Sequence, residues 1–76
     1  NHHDMLRDLL YSVDDEVNQV FFEDVLRLLV EQELLTRQEM NLLLATGTDR
    51  ILGEEADHIR ANMLRQLLHE VDRKGK

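Results

Sequence analysis

The sequence predicts an all-α chain, a small helical bundle of about four helices in the order short, long, short, long, completed by homodimerisation. Three observations carry this. The 76 residues contain no Pro and three Gly, and Leu alone fills 15 positions, a composition that favours helix throughout. Apolar residues recur at three- and four-residue intervals, the period of a helix face. One long segment is apolar on two sides, and a chain of this length buries too little surface to cover both by itself.

Asn1-His2-His3-Asp4 reads as a tag remnant or a disordered start, which leaves 5–73 as a single helical domain and 74–76 as a tail. Residues 4–11 make a short helix with Met5, Leu6, Leu9 and Leu10 on its apolar side. Ser12 then caps a long helix over residues 13–34, whose first turn sets Asp14, Asp15 and Glu16 against the positive end of the helix dipole. Val13, Val17, Val20, Phe21, Val25 and Leu28 form the stripe directed at the core. Phe22, Leu26, Leu29 and Val30 form a second stripe on roughly the opposite side, the candidate interaction surface.

Thr36-Arg37-Gln38-Glu39 is a capping box, with Leu35 and Met40 at the two hydrophobic staple positions. It starts a third helix that runs to about Ala45 and closes in a left-handed turn at Gly47. Thr48 or Asp49 caps the next segment, and Ile51 and Leu52 form an isolated turn because Gly53 weakens any helix through it. The last helix, over residues 54–73, lines Leu52, Ala56, Ile59, Met63, Leu67 and Val71 along one face, with Leu64 beside them. Asp24, Glu31 and Glu70 fall within apolar stripes and Arg60 at the rim of one, which calls for neutralising pairs: Arg60 with Asp24 or Glu31, and Glu70 with Arg27.

Sixteen acidic and nine basic groups give a formal charge of −7. The charge is not spread evenly. Residues 1–39 hold ten acidic groups against Arg7, Arg27 and Arg37 and so sum to −7, whereas residues 40–76 hold six of each sign. An acidic chain is a poor match for nucleic acid. No apolar run exceeds four residues, so no membrane span is expected. The absence of Cys excludes disulfides, thiol catalysis and zinc–thiolate sites, and accords with a cytoplasmic location.

The only Ser, in Tyr11-Ser12-Val13, has no Gly-flanked elbow, and no Gly-rich phosphate loop exists. The leading expectation is therefore a non-catalytic protein–protein interaction or regulatory module without a cofactor. Its partners would be a second copy of itself and another protein with a basic surface. A second reading rests on Glu55-Ala56-Asp57-His58, which resembles the Glu-x-x-His of ferritin-like di-iron proteins. That resemblance implies Glu55 and His58 as metal ligands, pooled across a dimer with Glu23 or Glu31. A third is a helix-turn-helix, with Arg37, Gln38 and Asn41 following the break at Leu35-Thr36.

Overall fold

The computed structural model describes residues 2–49, 53 and 55–74. They form four helices and, among the described residues, no strand: α1 (His2–Ser12), α2 (Gln19–Glu31), α3 (Arg37–Leu44), which runs on into a π-helical turn (Ala45–Asp49), and α4 (Ala56–Lys74). The α1 and α2 helices both pack on α4, and α3 packs on α2. The Cα trace spans 36 × 25 × 17 Å. Its thin dimension admits two layers of helix, since packed axes lie about 8–10 Å apart. Every helix therefore keeps one face outside the core.

The α1 helix begins at His2 and ends on Ser12, whose hydroxyl donates back to the Asp8 carbonyl instead of capping a second helix. The long second helix expected from residue 13 is shorter. Residues 13–18 form an irregular strap, and Asn18 is the N-cap of α2, its side chain accepting from the Phe21 amide at 2.8 Å. Val13, Val17 and Val20 are spaced like a helix face, but the strap buries Val13 and Val17 without one.

Val25 of α2 faces the core as expected, but most of the second stripe joins it. Phe22, Val25, Leu26 and Leu29 face the core, while Val20 is 69% exposed. The α2 helix stops in a Schellman motif: the Leu34 amide donates to Leu29 at 2.9 Å and the Glu33 amide to Val30 at 3.0 Å, with Glu33 at φ 61°. A left-handed Glu is strained, and its charge opposes the negative end of the helix dipole. Glu33→Gly should therefore raise stability by about 1 kcal/mol. Urea unfolding with an unchanged or lower midpoint would contradict this.

The capping box forms as expected. Thr36 Oγ1 accepts from the Glu39 amide at 3.1 Å, and the Glu39 carboxylate accepts from the Thr36 amide at 3.2 Å. Gly47, however, closes no left-handed turn, because among the described residues positive φ occurs only at Glu33 and Gly53. Gly47 is Gly because the Phe22 ring lies where a Cβ would stand. Thr48 donates back to the Leu44 carbonyl. Ile51, Leu52 and residues 75–76 lie outside the described residues.

The core face of α4 carries Ala56, Arg60, Ala61, Leu64, Leu68 and Val71. Ala56, Leu64 and Val71 stand there as expected, but Arg60, Ala61 and Leu68 take the places of Ile59, Met63 and Leu67, a rotation smaller than the roughly 100° between neighbouring residues. Ile59 is left exposed, and Met63 and Leu67 are half-buried.

Candidate functional site

The structure places each residue singled out in the sequence. Phe22, Leu26 and Leu29 are fully buried inside the protomer, and Val30 is half-buried against them. They fill the protomer's core because α2 turns this stripe towards α4. Glu55 is exposed in the turn before α4, and its carbonyl accepts the first helical bond, from the Ile59 amide at 3.0 Å. His58 lies on the flank of α4. Its Nδ1–H donates to the Asp15 carbonyl at 2.8 Å, and its Nε2 stands 3.8 Å from Glu16. Among the described residues, no three metal-ligating side chains converge. Arg37, Gln38 and Asn41 are exposed on α3, with Glu39 engaged in the cap between them.

The expected charge pairs are replaced by others. Asp24, Glu31 and Glu70 are exposed, and Arg27 pairs with Glu23 one turn earlier. Arg60 is 5% exposed. Its Nε donates to the Val17 carbonyl at 2.7 Å and its Nη1 to the Gly47 carbonyl at 3.0 Å, while Nη2 meets the Asp57 carboxylate. One guanidinium thus ties together the strap, the π-helical turn and the first turn of α4.

Two further donors of α4 join it. Arg65 reaches the Val13 carbonyl at 3.5 Å and the Asp15 carboxylate at 3.2 Å, and His58 holds the Asp15 carbonyl. The carbonyls of alternate strap residues 13, 15 and 17 are all received by α4. Composition alone could not reveal this, because the donors stand more than 40 positions away in sequence.

Besides Leu42 of α3, which is 66% exposed, apolar side chains remain uncovered in two places. On α4, Ile59 is 40% exposed, and Met63 and Leu67 line a shallow hollow of about 170 Å³ with Leu43 of α3. On either side of the strap, Tyr11 is 90% and Val20 69% exposed. No helix among the described residues is long and apolar enough to cross a membrane.

A family model described as the CtsR C-terminal dimerization domain matches residues 1–69. The chain belongs to this family. No curated protein and no solved structure matches it. A CtsR C-terminal dimerization domain self-associates. The match spans all of α1, α2 and α3 and most of α4, so both leftover patches lie within the CtsR C-terminal dimerization domain itself.

Proposed function

We propose that the chain is a non-catalytic self-association module whose two copies meet along the outer face of α4, through Ile59, Met63 and Leu67, with Leu43 of α3 at its side. The observation that carries this is the split of α4 into two apolar faces, of which the protomer buries only one. A two-fold interface brings a patch against itself, so any net charge on it opposes its own image. The half that contains α4 sums to zero, whereas residues 1–39 would set −7 against −7. Burying the free stripe adds apolar area to the core at about 25 cal/mol per Å².

Met63→Glu places like charges across that axis. The dimer should weaken by a factor of about 100 or more. The fold should survive, because Met63 is only half-buried in the protomer. Val20→Glu, in the first turn of α2, should leave the dimer intact. Sedimentation showing Met63→Glu as dimeric as the parent would overturn the assignment of the face.

A further inference from the structure

Beyond self-association, we propose that the acidic strap and the apolar side chains at its two ends form a docking surface for a second kind of partner: a cationic, lysine- or arginine-rich segment of another protein carrying apolar anchors. The strap lies on α4 with its carbonyls bound inward and its acidic side chains turned out. Asp14, Asp15 and Glu16 are all exposed, although they stand beside buried Val13 and Val17. At one end Tyr11 stands 90% exposed beside a surface hollow of about 350 Å³ that it lines with Arg7 and Leu10. At the other end a smaller hollow of about 210 Å³ runs from Asp14 and Glu16 to half-buried Phe21, next to exposed Val20.

A Tyr and a Val left bare on either side of three consecutive acids satisfy no need of the fold. Aromatic and aliphatic side chains rimmed by charge are the arrangement of an interface, with the apolar groups supplying affinity and the charges selecting the partner.

Charge decides the occupant. A second copy of this chain would bring the same −7 half against itself. A cationic segment meets Asp14, Asp15 and Glu16 on the outer side of the strap, while the basic side chains of α4 that reach the strap, His58, Arg60 and Arg65, are already engaged by its carbonyls and by Asp15. The strap is also rigidly backed, since the Val17 amide donates to the Asp57 carbonyl at 3.0 Å in addition to the three strap carbonyls that α4 receives. Little ordering is then required when a partner docks.

Fluorescence anisotropy with a labelled lysine–leucine peptide, its leucines on one helical face, tests this with the full chain. Binding should weaken with salt. Tyr11→Ser combined with Val20→Ser should reduce affinity about tenfold or more. Asp14→Asn combined with Glu16→Gln should reduce it several-fold and flatten the salt dependence. A peptide with its leucines replaced by serine should bind more weakly and lose the dependence on Tyr11 and Val20.

Equal binding of the lysine–leucine peptide to the parent and to the Tyr11/Val20 variant would overturn the proposal. So would binding of a glutamate–leucine peptide at the same affinity. Sedimentation keeps this test separate from the self-association reading. The Tyr11/Val20 variant should remain as dimeric as the parent, and its conversion to monomer would show that a second copy occupies the patch and would overturn the proposal.

Discussion

Arg60→Ala is expected to lower the unfolding free energy by about 3 kcal/mol, the larger of the two strongest stability effects in this chain. The guanidinium is 5% exposed and is the only buried charged group among the described residues. Its removal takes the Arg60 donors away from the buried Val17 and Gly47 carbonyls and releases Asp57. Each unsatisfied buried group costs about 1–3 kcal/mol. Arg60→Lys should recover little, because a point charge on a flexible stem cannot serve two carbonyls and a carboxylate that a planar fork meets together. Urea unfolding of both variants checks this. A loss below about 1 kcal/mol for Arg60→Ala would mean that the strap and the π-helical turn are held by other contacts.

Gly47→Ala is expected to destabilise by about 2 kcal/mol, against the sign that helix propensity alone would give. In an ordinary helical position Ala is favoured over Gly by about 1 kcal/mol. Here the added Cβ would meet Phe22 at Cε2, with Cζ at 2.7 Å. Phe22 is 1% exposed within the core and has nowhere to move. Phe22→Leu shortens the side chain, so the pair Gly47→Ala with Phe22→Leu should be less unstable than the sum of the two single changes. Additivity within error in thermal unfolding would remove the ring contact as the reason for this glycine.

Much of the fold is written in local pattern. The capping box at Thr36 reads directly, because each of its hydrogen bonds lies within four residues. The apolar repeat shows four helices in the right order. What the repeat hides is which face of a two-sided helix turns inward. On α2, Val13, Val17 and Val20 continue the helical spacing, yet the first two reach the core from a strap, which shifts the inward face to Phe22, Leu26 and Leu29. On α4, Arg60 looks like a boundary residue, but its carbonyl partners in distant segments draw it inside and turn Ile59, Met63 and Leu67 outward. The same non-local bonds hide the candidate surface, since a free stripe is defined only by what the core leaves behind. Gly47 shows a related limit: its neighbour in space, Phe22, is 25 positions away in the chain.

These rotations also change the meaning of the charge split. The acidic half, which holds the two-sided α2, keeps its large apolar side chains for the protomer and presents mostly acids with Tyr11 and Val20. The neutral half retains the longer free apolar stripe. Self-association is thereby proposed for the neutral half and recognition of a cationic partner for the acidic half.

The most direct measurement of the central claim is sedimentation equilibrium of the full chain over a range of concentrations. The chain has a mass of 9.0 kDa. Self-association through the α4 stripe predicts a species of twice that mass that dissociates in the Met63→Glu variant while the helical signal is retained. A folded 9.0 kDa monomer at every concentration would contradict it.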